Sequence, residues 1–134
     1  FLKSYKKTGY TQLALLEKAN LDAKLKNYDE ALYNFNELIM LTDGARDNKI
    51  FNKISRVSAS RILLSLDRYD EALSVIEKYS LGDTNAPIHE LAGDILFKQG
   101  KVNLAINQYE AAEEKYTDQT SKSIISMKIA SITN

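Results

Sequence analysis

The sequence has no cysteine, one proline and one histidine, and its charges cancel, with 18 lysines and arginines against 18 aspartates and glutamates. Without cysteine there is no disulfide framework and no thiolate metal site, and the redox compartment stays open. A balanced charge argues against nucleic-acid binding, which usually depends on a basic excess on one face. No apolar run approaches the ~20 residues that cross a bilayer, so no membrane span is predicted.

The composition is that of one folded helical domain. Hydrophobic residues make up 44% of the chain and charged residues 27%, which is ordinary for a soluble globular protein. A chain of this length holds a core without staples, so we expect a single domain over residues 1–134. Few prolines and glycines, many Ala, Leu, Lys and Glu residues, and little strand-like alternation predict helix throughout.

Short loops divide the chain into predicted helices. The loops are TDGARD at 42–47, LGDTNAP at 81–87, QGK at 99–101 and TDQTS at 117–121. Pro87 suits the first turn of a helix, and Gly100 is free to adopt positive φ. The predicted helices cover residues 9–26, 28–41, 46–66, 69–80, 87–99, 101–116 and 119–132. Short connections make the first and second, third and fourth, and fifth and sixth helices antiparallel hairpins.

The pentapeptide YDEAL occurs at Tyr28–Leu32 and again at Tyr69–Leu73. Aligning the copies on Ala31 and Ala72 brings in a third, with Ala105 in KVNLAINQYEAA, at spacings of 41 and 33 residues. A helix–turn–helix unit with a period near 34 is the tetratricopeptide signature. The sequence therefore predicts an all-α, tetratricopeptide-like stack of three helix hairpins plus a C-terminal capping helix.

The residues that repeat are those that packing requires. Two helices that cross closely need small residues, and one turn after each alanine a large residue fills the space between repeats. The small residues are Ala31, Ala72 and Ala105 against Ala19, Ser60 and Gly93, and the large ones are Phe35, Ile76 and Tyr109. The last helix is predicted to cap the stack with one apolar stripe, formed by Ile124, Ile125, Ile129 and Ile132.

Three segments carry a family resemblance: TGYTQLALLEKA at Thr8–Ala19, LAGDILFKQGKVNLAINQYEAA at Leu91–Ala112, and SMKIASI at Ser126–Ile132. With them the chain resembles the periplasmic tetratricopeptide-like domain of the ancillary subunit of the SecYEG translocon. The similarity extends over essentially the whole chain, and the second segment is the most specific. All three are packing motifs, so a related periplasmic repeat protein would share them.

This resemblance implies a location and a set of partners. It implies the bacterial periplasm, with a cytoplasmic tail and one transmembrane helix upstream of Phe1 that tethers the protein to the inner membrane. The implied partners are translocon subunits, periplasmic folding factors of the prolyl-isomerase type, or emerging chains. The oligomeric state stays open.

Residues suited to catalysis or metal binding are scarce. His89 stands alone, with no nucleophile elbow, glycine-rich loop or further zinc ligands, and we interpret it as a surface or groove residue. The carboxylates Glu110, Glu113, Glu114 and Asp118 are a cation site or, more simply, a solvated helix face. We therefore predict no catalytic residue, no metal site, no cofactor and no enzyme activity.

A basic stripe is predicted on the third helix. Arg46, Lys49, Lys53 and Arg56 follow one another at spacings of three or four residues. Like charges at this spacing do not favour a helix, so the stripe suits an acidic partner or anionic lipid headgroups. The alternative is that acids of neighbouring helices, such as Asp22 or Glu37, neutralise it.

The first helices of the hairpins are expected to line a binding groove. Mapped from the repeated alanines, its main partner-binding residues are Asn20, Lys24, Arg61, Leu64, Asp94 and Phe97. This mixture of apolar and polar groups suits a peptide, although Arg61 and Asp94 occupy equivalent positions and are able to pair. The function that we expect is protein–protein interaction beside the translocon. The alternative is an envelope scaffold in cell division or outer-membrane assembly.

Overall fold

The structure, a computed structural model, describes residues 9–44, 48–80, 82 and 84–133. All regular structure in these ranges is α-helical, as the sequence predicts. The helices are α1 (Gly9–Lys24), α2 (Tyr28–Leu41), α3 (Lys49–Ser65), α4 (Tyr69–Ser80), α5 (Ala86–Lys98), α6 (Val102–Lys115) and α7 (Gln119–Thr133). Among the described residues, no helix is both long and apolar enough to cross a membrane.

Asparagine side chains cap the N-terminal ends of two helices, α3 and α5. The Asn48 side chain accepts a hydrogen bond from the Phe51 backbone N–H (3.0 Å) at the start of α3. Asn85 does the same for α5, where Pro87 lies in the first turn as predicted. Such caps satisfy backbone donors that have no partner within the helix. The predicted start of the third helix at residue 46 lies outside the described residues, which resume at Asn48.

Positive backbone angles mark three helix ends. Gly100 has φ of 81°, as predicted for the turn between α5 and α6. Lys26 has φ of 63° and Asp67 has φ of 60°; this region is uncommon for lysine, whereas aspartate is enriched there. The turn at Lys26 explains why α1 ends at Lys24 and not at residue 26 as predicted.

The described residues form two compact units, which divide the chain between Leu66 and Asp67. In the first unit α1 packs on α2, α2 packs on α3, and α1 also contacts α3. In the second unit α4 packs on α5, α5 on α6, and α6 on α7. The α1–α2 and α5–α6 hairpins are therefore confirmed. The predicted α3–α4 hairpin has one helix in each unit.

The repeated residues are buried as the packing argument predicts. Ala31, Ala72 and Ala105 have no exposed surface, and Phe35, Ile76 and Tyr109 are at most 2% exposed. Ala19, Ser60 and Gly93 are buried as well. A side-chain Cβ at Gly93 would lie 2.5 Å from the Tyr109 ring, so this glycine lets α5 approach the ring closely.

Helix α7 covers the end of the second unit with part of its predicted stripe. Ile125 is fully buried, and Ile129 and Ile132 pack partly buried against a cluster that includes Tyr109. Ile124 is 45% exposed, so the prediction that it belongs to the packed face is wrong. A position one residue from Ile125 is rotated by about 100° around the helix, which turns Ile124 away from α6.

Candidate functional site

The predicted groove residues of the first unit lie on α1 and α3. Asn20 and Lys24 are exposed on α1, and Arg61 is exposed on α3. Leu64 is half-buried one turn after Arg61. These side chains offer an amide, two cations and an aliphatic group, the chemistry that a peptide contact needs.

The basic stripe is partly neutralised within its own unit. The Arg56 side chain is only 13% exposed, and its Nη2 lies 2.9 Å from Asp43 Oδ1. Its Nε also donates to Asn52 Oδ1 (3.0 Å). Lys49 is exposed, Lys53 is half-buried, and Arg46 lies outside the described residues. Asp22, named above as a neutralising acid, instead lies 3.0 Å from Lys18 Nζ.

In the second unit, groove positions of α5 take part in a polar network with α7. Lys128 Nζ lies 2.6 Å from Glu90 Oε2 and 3.0 Å from Asp94 Oδ1. Tyr109 donates its hydroxyl to Asp94 Oδ1 (2.5 Å), and Tyr116 donates to Glu90 Oε1 (2.6 Å). The ammonium group of Lys128 also lies 5.7 Å from the centre of the Tyr109 ring, within the range of a cation–π contact.

The network shifts the pKa of two of its members, Tyr109 and Lys128. Burial, followed by the hydrogen bond to Asp94, raises the pKa of the Tyr109 hydroxyl far above its usual range. Burial by itself would lower the pKa of Lys128, but its hydrogen bonds to Glu90 and Asp94 outweigh that effect and raise the pKa. The tyrosine therefore stays neutral and the lysine stays charged at physiological pH, so the hydrogen bonds and ion pairs that join α7 to α5 are maintained.

The two predicted groove residues of the second unit, Asp94 and Phe97, differ in how far they are exposed. Asp94 is half-buried, with contacts to Tyr109 and Lys128. Phe97, one turn later, is 43% exposed. An aromatic group at the surface is a common anchor for a protein partner, and the partner-binding role of Phe97 stays a prediction.

The prediction that His89 lies at the surface or in a groove is wrong. Its side chain is 5% exposed, and its Nδ1 lies 2.8 Å from Gln108 Oε1 on α6. An amide oxygen only accepts, so the ring nitrogen donates this hydrogen bond. The imidazole therefore joins α5 to α6.

The carboxylates of α6 surround a shallow, polar pocket on the second unit. Its lining includes Glu110, Glu113, Glu114 and Lys122. Lys122 Nζ donates to the Glu113 carbonyl (2.8 Å), and Ser126 donates to a Glu113 carboxylate oxygen. Within the described residues, no group of three or more His, Cys, Asp or Glu side chains could hold a metal ion.

The sequence analysis did not predict the structural roles of two side chains, Lys128 and Asn52. Lys128 stands on α7 three residues after Ile125, and that spacing within an apolar stripe is the signal that it faces the protein. Asn52 is 1% exposed and donates to the Ile39 carbonyl (3.3 Å) and the Thr42 hydroxyl (3.1 Å). Its position one turn before the buried Ser55 and Arg56 is a weaker signal.

Comparison with known proteins agrees with this architecture. A relative from Aggregatibacter actinomycetemcomitans, named as an ancillary SecYEG translocon subunit, is 26% identical over 114 residues. The aligned part is 85% of this chain and 54% of the relative, so the chain spans about half of the relative's length. The resemblance stated from the sequence is therefore confirmed. The family model of the tetratricopeptide repeat-like domain matches residues 1–134, and the chain belongs to that family.

Proposed function

We propose that this chain is a protein-binding module and that it serves as an accessory of the SecYEG translocon. The observation that carries the proposal is the relative named as an ancillary SecYEG translocon subunit, which aligns with 85% of this chain. The tetratricopeptide-like fold supports it, because stacked helix hairpins expose extended surfaces on which other proteins bind.

The role that we propose is non-catalytic and periplasmic. The one histidine is buried in a structural hydrogen bond with Gln108, and Glu90 and Asp94 hold Lys128. The chain is tethered to the inner membrane by a segment upstream of Phe1, and it links the translocon to periplasmic folding factors or emerging chains. The contacts that we propose for those partners are the exposed residues Asn20, Lys24 and Arg61 in the first unit and the exposed Phe97 in the second.

Affinity capture from bacterial membranes tests the partners. The tagged full-length protein is crosslinked in cells, solubilised and analysed by mass spectrometry beside an unrelated tethered helical domain. We expect translocon subunits and periplasmic folding factors to be enriched over that control. Enrichment of cell-division or outer-membrane-assembly proteins, without translocon subunits, would replace this proposal by the envelope-scaffold alternative.

Protease access tests the location. In spheroplasts, whose outer membrane is opened, a periplasmic domain is digested by added protease while cytoplasmic proteins stay intact. Protection of the domain until the inner membrane is lysed would contradict the periplasmic assignment.

A further inference from the structure

Helix α3 carries four basic residues and no acidic residue. Its 17 residues, Lys49–Ser65, contain Lys49, Lys53, Arg56 and Arg61 and no aspartate or glutamate. The net charge of zero hides a wider asymmetry, since residues 1–66 contain 11 basic and 7 acidic residues and residues 67–134 contain 7 and 11. The boundary between these segments is also the boundary between the two compact units. The first unit therefore attracts anionic partners.

The solvent side of α3 combines cations with exposed aliphatic groups. Ile50 is 70% exposed, and Ile54, one turn later, is 39% exposed. Arg61 lies in line with them near the C-terminal end, and Lys49 stands beside Ile50; both cations are exposed. We call these four residues, Lys49, Ile50, Ile54 and Arg61, the α3 face. Ala59, Ile62 and Leu63, on the other side of the helix, are buried.

The two isoleucines of the α3 face leave aliphatic surface in water. Lys49 and Lys53 are like charges one turn apart, a spacing that weakens an isolated helix slightly. Arg56, which the sequence placed in the basic stripe, is instead turned toward Asp43 and Asn52. The α3 face is thus distinct from the predicted stripe, because it excludes Arg56 and includes the two isoleucines.

We propose that the α3 face binds an acidic segment of a partner protein, with aliphatic side chains between its carboxylates. This rests on the proposed function and specifies the chemistry of the partner. The carboxylates pair with Lys49 and Arg61, and the aliphatic groups cover Ile50 and Ile54. From Ile50 to Arg61 the helix rises about 16 Å, which matches about five residues of an extended chain.

A protein segment fits this surface better than a membrane. Helices that lie in the membrane interface bury a broad apolar face rich in aromatic residues and leucine. On α3 that side is already packed in the unit, through Ala59, Ile62 and Leu63, and the solvent side offers two isoleucines. Their area is too small to hold a helix in lipid, but it is enough for one or two side chains of a peptide.

Binding of designed peptides tests the proposal. The probe is a fluorescein-labelled peptide of twelve residues in which glutamates alternate with leucine and serine, titrated with the full-length protein in nanodiscs of neutral lipid and followed by anisotropy. We expect binding that weakens as salt rises. The double variant Lys49→Glu/Arg61→Glu and the double variant Ile50→Ser/Ile54→Ser should each weaken it about tenfold or more.

Matched controls separate the α3 face from general charge effects. The double variant Lys98→Glu/Lys101→Glu makes the same charge change at exposed positions of the second unit, and it should leave the affinity unchanged. Equal binding of a peptide with lysine in place of glutamate, or unchanged binding by both α3 variants, would overturn the proposal. So would displacement of the probe by anionic phospholipid vesicles at a concentration at which neutral vesicles have no effect.

The peptide-binding experiment and the membrane capture experiment can fail independently of each other. If the α3 variants still capture translocon subunits from membranes but lose the probe peptide, the α3 face serves another partner. If the α3 variants lose the peptide and the wild-type protein captures no translocon subunit, the translocon role fails and the peptide site stands.

Discussion

Gly93 of α5 packs against the ring of Tyr109 of α6, and there is no room for a larger residue at position 93 unless the ring shifts. An added Cβ at Gly93 would lie 2.5 and 2.6 Å from two ring carbons of Tyr109. The ring cannot swing away freely, because it is buried and its hydroxyl donates to Asp94 (2.5 Å). The close approach is therefore a fixed feature of the second unit.

Gly93→Ala should lower the free energy of unfolding by about 1–3 kcal/mol, since overpacking forces the ring and the helix apart. Urea unfolding followed by circular dichroism measures the change. Gly9→Ala is the control, because no atom lies within 4 Å of the Cβ that it would add. Equal stability of the two variants would show that the Tyr109 ring moves without penalty.

Asn52 is the corresponding polar contact of the first unit. It holds the C-terminal end of α2 by donating to the Ile39 carbonyl and the Thr42 hydroxyl, and it accepts from Arg56. Leucine has a similar size but removes the hydrogen bonds that Asn52 makes in this buried region. Asn52→Leu should therefore reduce the free energy of unfolding by about 2–3 kcal/mol.

The control for Asn52 is Asn36→Leu, an exposed position of α2. Its stability should stay within about 0.5 kcal/mol of the wild type. If Asn52→Leu behaves like Asn36→Leu, the hydrogen bonds of Asn52 contribute little, and burial of leucine offsets their loss.

At the scale of the elements, α7 is attached by one buried isoleucine, by two partly buried isoleucines, and by the ion pairs of Lys128. Lys128 reaches from α7 past α6 to two carboxylates of α5. The capping helix therefore binds both helices of the third hairpin. This contact also holds Asp94 in place and removes it from the residues offered to a partner.

Lys128→Met keeps most of the aliphatic length of the side chain but removes the charge that pairs with Glu90 and Asp94. The loss should be about 1–2 kcal/mol, less than for a fully buried pair because the lysine side chain is 31% exposed and water screens it. Thermal unfolding should show a decrease of roughly 3–5 °C per kcal/mol. Hydrogen exchange should become faster in α7 before it does in α5.

The exposed Lys98→Met is the matched control for Lys128. It should leave both the melting temperature and the exchange rates of α7 unchanged. Equal effects of the two variants would mean that the apolar contacts of Ile125, Ile129 and Ile132 are sufficient to hold the cap.

At the scale of the whole molecule, the titration of Lys128 and Tyr109 makes the stability of the fold depend on pH. The folded state raises the pKa of both Lys128 and Tyr109. A raised pKa means that each contribution is fully present below the ordinary pKa, near 10 for both groups, and is lost as pH rises further. From these two groups we expect no change in stability between about pH 7 and 9, and a decline above about pH 10.

Melting curves of the wild type and Lys128→Met at about pH 8, 10 and 11.5 check this. The difference between the two proteins should be largest at pH 8 and should shrink at alkaline pH, where the wild-type lysine also loses its charge. A difference that stays constant over the range would remove Lys128 from the account of alkaline unfolding.

Much of the architecture could be read from the sequence, because helix formation and hairpin packing depend on near neighbours. The YDEAL copies predicted that α2 and α4 begin at Tyr28 and Tyr69, and they do. The small residues at helix crossings were predicted from one-turn spacings, which are local geometry. Phe35, Ile76 and Tyr109 were placed in the core for the same reason.

The charged and polar contacts of the candidate site were less predictable. Whether Arg56 faces a partner or Asp43 depends on how α3 is rotated against α2, and a difference of one residue turns a side chain by about 100°. Lys128 meets Glu90 and Asp94 across 38 and 34 residues of sequence, and no local pattern encodes that distance.

By itself, then, the sequence determined the helices, the α1–α2 and α5–α6 hairpins and the small and large residues of the crossings, since all of these follow from spacings of three, four or about 34 residues. Only the tertiary structure decided that His89 is buried, that Ile124 is exposed, that Asp94 is held by Lys128, and that α3 presents isoleucines beside its cations. These contacts depend on how each helix is rotated and on partners that are far apart in the chain. A long side chain has several possible neighbours, and its burial in the folded protein determines which of them it contacts.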